Sequence, residues 1–124
     1  MKTVILYHGT DVESALDILN NGLSEDELNK RQTESVQLGP GWYAAVEPDV
    51  AWFFATLAAD ALDRCTVVEM LITEEELDDL LTMELARREI IGSVPFEGEQ
   101  IWFSPEAFDF LNEHALFVPH HEVD

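Results

Sequence analysis

The chain reads as a single α+β domain spanning residues 1–124. Three observations predict that class. Short β-rich runs and amphipathic segments are mixed without regular alternation, which disfavours a doubly wound nucleotide fold. Hydrophobic residues make up 47% of the 124 positions, with three Trp and seven Phe, enough to build a core and too many for a disordered chain. No run reaches the roughly 18 apolar residues that cross a membrane.

The elements follow in order. Lys2–Tyr7 reads as a strand around Val4-Ile5-Leu6. Tyr7-His8-Gly9-Thr10 reads as a strand-to-helix turn that exposes an imidazole, turns at a glycine and caps the next helix. Thr10 with Glu13 fits a capping box, and Val12, Ala15, Leu16 and Leu19 form the apolar stripe of a helix to Asn21. Gly22 is its stop. Residues 24–38 are polar, read as a short helix and a loop carrying Lys30 and Arg31.

Gly39-Pro40-Gly41 is a turn before a strand from Gly41 to Val46. A helix from Pro48 to Leu62 follows, with Ala51, Phe54, Ala58 and Ala61 inward. Thr66–Thr73 reads as a strand, and Thr73 with Glu76 as a second capping box opening an acidic helix to Leu81. A short strand is expected at Ile90-Ile91 and another from Glu99 to Phe103. Ser104-Pro105-Glu106 starts a helix to Glu113. Ala115–Val118 is the last strand, and residues 119–124 read as a flexible tail.

Charge is the compositional outlier: 26 acidic residues against six basic ones, a net −20. Such a field repels nucleic acid and anionic membranes and attracts basic partners. A nucleotide would need local compensation from Lys2, Lys30, Arg31, Arg64, Arg87 or Arg88. The single cysteine, Cys65, cannot close an internal disulfide, and no signal-peptide pattern follows Lys2; both favour a cytoplasmic protein.

Several chemistries lack their motifs. Gly39-Pro40-Gly41 has no third glycine and no helix behind it, so it is not a dinucleotide fingerprint. There is no Walker motif and no G-x-S-x-G. The late histidines His114, His120 and His121 with Glu122 read as a solvated tail rather than a metal site. Glu74-Glu75-Glu76 with Asp78-Asp79 lacks the glycine and spacing of a calcium loop, and reads as a helix start and its wet face.

His8, Tyr43 and Glu99 remain, each at a strand edge. Tyr-His-Gly-Thr after a first strand, Gly-x-Tyr (Gly41, Tyr43) on a second strand before a helix, and Glu at the start of a late strand resemble the His–Tyr–Glu pattern of diphtheria-toxin-like ADP-ribosyltransferases, most closely their small bacterial members. The resemblance spans Val4 to Val118. It implies an ADP-ribosyltransferase-like fold, with short mixed or antiparallel strands in a split β core flanked by helices. It also implies mono-ADP-ribosyl transfer from NAD, used as a substrate, to a macromolecular acceptor, a protein or else a nucleic acid; the acidic surface would recruit a basic target.

The implied roles fit the chemistry. Breaking the nicotinamide–ribose bond passes through a cationic, oxocarbenium-like state, which Glu99 would stabilise while accepting a hydrogen bond from the ribose 2′-hydroxyl. Resemblance implies that the Gly9 backbone grips the carboxamide, Tyr43 stacks on the nicotinamide and His8 holds a ribose hydroxyl. Thr10 would touch the adenosine side, and Lys30 or Arg31 would meet the pyrophosphate. In Glu97-Gly98-Glu99 the first Glu would orient an acceptor guanidinium, with Phe96 on the acceptor-facing loop; Glu97 is also the runner-up for Glu99. One departure is Ala-Ala-Val after Tyr43, where relatives often carry hydroxyl residues.

Two other readings stay open. The −20 charge also suits a binding module, a nucleic-acid mimic or antitoxin-like inhibitor that fills a basic groove. A relative that binds NAD or ADP-ribose without catalysis would carry the same residues.

Overall fold

The structure, a computed structural model, describes residues 2–24, 41–58, 64–91 and 98–120. It is mixed α+β, as expected, and its described strands form one six-stranded sheet. The strands are β1 (Thr3–Asp11), β2 (Trp42–Ala45), β3 (Cys65–Thr73), β4 (Ala86–Ile91), β5 (Gly98–Phe103) and β6 (Leu116–Pro119). Their order is β4-β5-β2-β1-β3-β6, and every neighbouring pair is antiparallel. The described helices are α1 (Val12–Asn21), α2 (Pro48–Ala58), α3 (Glu74–Thr82) and α4 (Phe108–His114), the last entered through a 3₁₀ turn at Pro105–Ala107. None is long and apolar enough to cross a membrane.

The first strand corrects the expected turn. β1 runs on through His8, Gly9 and Thr10 to Asp11, because β3 offers a partner to each residue from Thr3↔Thr73 to Asp11↔Cys65. A continuous ladder outweighs the turn tendency of His-Gly-Thr, since each added rung satisfies backbone groups that a turn leaves to water. The cap therefore moves one residue on. Asp11, not Thr10, caps α1, its carboxylate accepting from Ser14 N–H at 2.6 Å. At nine residues β1 is longer than the strand expected, whereas β3 only starts one residue before the expected Thr66.

The second capping box is present as expected. Thr73 N–H donates to Glu76 Oε1 at 3.1 Å, and Glu76 N–H donates to Thr73 Oγ1 at 3.1 Å. The Thr73 hydroxyl, which donates to Glu76 Oε1 at 2.8 Å, and then the Thr73 N–H hold the Glu76 carboxyl below its usual range. Ser104 caps only the 3₁₀ turn, so the expected helix from Pro105 splits and α4 keeps seven residues. Pro119 and His120 are not tail: Pro119 pairs with Val68, and His120 N–H donates to Val67 O at 3.1 Å. Lys30, Arg31, Phe96, Glu97, His121 and Glu122 lie outside the described residues.

The pleat sorts side chains onto two faces. One carries Leu6, Trp42, Ala44, Val68, Met70, Ile72, Ile101 and Phe103, packed on α1, α3 and α4 through Ile18, Leu77, Leu80, Phe108 and Leu111. The other carries Ala45 and Val67 under α2, which contributes Val50 and Ala51, with Tyr7, Trp52 and Phe54 at the margin. Gly9 lies beneath α2 at its closest approach. A Cβ there would stand 1.7 Å from Ala51 O and 2.8 Å from Ala55 N, so only glycine fits.

The two halves of the sheet meet at a gap. β1 and β2 share one register pair, Tyr7↔Ala45, whereas β2 and β5 share four. The sheet is thus two three-stranded halves, β4-β5-β2 and β1-β3-β6, joined at a seam that opens beside His8, Gly9 and Tyr43.

Candidate functional site

Across the seam the backbone ladder is replaced by a side chain. His8 Nδ1 lies 2.6 Å from the Tyr43 carbonyl. A carbonyl can only accept, so Nδ1 carries the proton. The ring stacks on Trp42 with centroids 4.5 Å apart. Burial pushes its pKa from the ordinary 6.5 down to about 4, against the opposing pulls of the Tyr43 carbonyl and the Asp11 charge. The imidazole is therefore neutral at pH 7, and Nε2 presents a lone pair. A neutral, fixed acceptor at an unladdered seam is suited to a hydroxyl or amide donor.

Gly9 and Thr10 follow on the same strand. The close approach that Gly9 permits on its Cα side is that of α2, not of a ligand. Its edge toward β2 is the side where the register stops. Thr10 is buried beside Thr66.

Register places Tyr43 and His8 on opposite faces of the sheet. Tyr7 and Ala45 are opposite one another and share a face, so Tyr43 shares it too and His8 does not. Tyr43 pairs with Trp102, which in turn pairs with Arg87, and the Arg87 guanidinium lies 5.7 Å from the Trp102 ring centroid. These three side chains line the α2 face.

Glu99 opens β5 on the His8 face, in step with Ile101 and Phe103. Its carbonyl accepts from Val46 N–H at 2.9 Å, just past the end of β2. β2 lies between His8 and Glu99, a lateral separation of about 10 Å between their strands. The Glu99 side chain is 32% exposed, and Oε1 accepts from Arg88 at 2.9 Å. Of the three expected site residues, His8 and Glu99 thus share a face. Tyr43 reaches the site through the seam, its carbonyl on His8 and its ring on the far side.

Two features escaped the sequence reading. Arg88 joins Glu99 because β4 and β5 pair, and the sequence signal was only the Arg87-Arg88 doublet. His120, read as tail, bonds Glu69 through Nδ1 at 2.5 Å, with Tyr7 and Trp52 edge-on to its ring. That group lies over the outer half of the sheet and pins the chain after β6. Among the described residues no cluster of three His, Cys, Asp or Glu could hold a metal ion. No family model, curated protein or solved structure matches the chain.

Proposed function

We propose that the protein is an NAD-dependent mono-ADP-ribosyltransferase working at the β1/β2 seam. The observation that carries this reading is the neutral His8, held by the Tyr43 carbonyl beside the single β1/β2 register pair, with the Glu99 carboxylate on its face. The single register pair between β1 and β2, within one six-stranded sheet, is what supports a divided core.

The ligand would thread the seam. On the α2 face, the Gly9 backbone edge would hold the carboxamide and Tyr43 would cover the nicotinamide. On the opposite face, His8 Nε2 would accept a hydrogen bond from one ribose hydroxyl and Glu99 from the 2′-hydroxyl. The nicotinamide–ribose bond then breaks, nicotinamide leaving with the electron pair, while the Glu99 charge stabilises the oxocarbenium-like sugar. A nucleophile on the acceptor attacks the same carbon and loses its proton. Glu74, Glu75, Asp78 and Asp79, exposed along α3, would draw a basic protein acceptor.

The test is nicotinamide release from NAD, together with transfer of label from NAD to protein in a lysate. Glu99→Gln should leave folding intact and lower both rates at least ~100-fold, the scale of one lost electrostatic contact in a transition state. Equal rates in the two proteins would remove Glu99 from the chemistry. The same acidic α3 face supports a second reading, an inhibitor that occupies a basic groove. In that case binding would fall steeply with salt and would survive substitution of His8, Tyr43 and Glu99.

A further inference from the structure

Glu99 has a fixed backbone and one held oxygen. The start of β5 is pinned twice. Val46 N–H donates to the Glu99 carbonyl at 2.9 Å, and Gly98 lies so close to α2 that a Cβ would stand 2.5 Å from Val50 Cγ2. What remains free is the side chain, with three rotatable bonds and substantial rotamer entropy. Arg88 removes that freedom. It stands diagonally across the β4/β5 ladder, in which Arg88 pairs with Ile101 and Glu99 with Ile90, so both side chains leave the same face. Arg88 donates to Oε1 at 2.9 Å, and among the described residues Oε2 has no partner.

We propose that Arg88 is a positioning residue for the reaction. It holds Oε1 so that Oε2 is set for the ribose 2′-hydroxyl. The inference rests on the transferase reading and names a residue that the reading does not require. Three features support it. The donor is an arginine in a chain with only six cations, placed on β4, which flanks β5 on the side away from the seam. It occupies one carboxylate oxygen, which orients the group and leaves an acceptor free. The pair is also open to solvent, with the Arg88 side chain 51% exposed, so it adds little to stability and can be broken without unfolding the protein.

The experiment compares wild type with Arg88→Met, Arg88→Lys and Glu99→Gln, following nicotinamide release over a range of NAD concentrations and thermal unfolding of each protein. For Arg88→Met the expected result is a 10- to 100-fold fall in kcat, the cost of a misplaced catalytic group, with KM for NAD within about threefold and Tm unchanged. Arg88→Lys, which can still donate to Oε1, should recover a measurable part of kcat.

Three results would overturn the inference and leave the transferase reading standing: an unchanged kcat; a raised KM with kcat unchanged, which would place Arg88 on the substrate; or a raised kcat, which would make Arg88 a latch on Glu99. If wild type and Glu99→Gln both release no nicotinamide, the transferase reading falls, and the inference falls with it.

Discussion

Replacing His8 by Asn separates its proton from its hydrogen bond. The Asn amide nitrogen can still donate to the Tyr43 carbonyl, but it does not titrate. In the wild type the imidazole has a pKa of about 4 when folded, against 6.5 when exposed. The unfolded chain therefore binds the proton more readily. The stability due to this difference is complete above pH 6.5 and drains away as pH falls toward 4. With these two values, the loss between pH 7.5 and pH 5 is about 2 kcal/mol. Urea unfolding at a series of pH values measures it in both proteins. The carboxylates are common to both proteins, so what they contribute cancels in the difference. The Asn protein should be less stable at pH 7.5, having lost the ring stacked on Trp42, and the gap should narrow by about 2 kcal/mol at pH 5. Parallel curves across that window would mean that His8 is not held neutral, and the acceptor role given to Nε2 would go.

Two further predictions concern the frame. Gly9→Ala drives a Cβ into the backbone of α2, 1.7 Å from Ala51 O, where no flexible side chain can yield. The helix must move off β1, at a cost of about 3 kcal/mol or more. Tm should then fall by more than about 10 °C, and a fall under about 2 °C would deny the close packing. Thr73→Ala removes the capping box of α3 and should cost about 1 kcal/mol in urea unfolding, with the Glu76 carboxyl returning toward its ordinary range in an NMR titration. An unshifted Glu76 would assign its depression to something other than the Thr73 hydroxyl.

What the sequence revealed was local, and what it hid was long-range. The Thr73–Glu76 box was readable because both partners lie within one turn. The extent of β1 was hidden because its partners, Thr73 down to Cys65, lie more than fifty residues away. Gly9 was read as a turn, or as room for a ligand, yet the space it leaves is taken by a helix that begins at Pro48. His120 looked like tail because neither Glu69 nor Trp52 is near it in sequence. The site followed the same rule. His8, Tyr43 and Glu99 could be picked out singly, each beside a strand edge. Which face each leaves depends on the Tyr7↔Ala45 register, a shift of one residue reversing every assignment. Arg88 needed the β4/β5 register as well, and a doublet of arginines does not supply it.

The seam joins structure and chemistry in one side chain. β2 pairs along all four of its residues with β5 but shares only the Tyr7↔Ala45 register pair with β1. The Tyr43 carbonyl is reached instead by the His8 imidazole. A hydrogen bond of this kind contributes about 1 kcal/mol, so His8 stabilises the seam that its chemistry would use. His8→Ala would then lower stability and NAD turnover together and could not say which loss caused the other. His8→Asn keeps a donor for Tyr43 and removes the Nε2 acceptor. If turnover falls in the Asn protein while it remains folded at pH 7.5, the loss belongs to the acceptor. If turnover is kept, His8 serves only to close the seam.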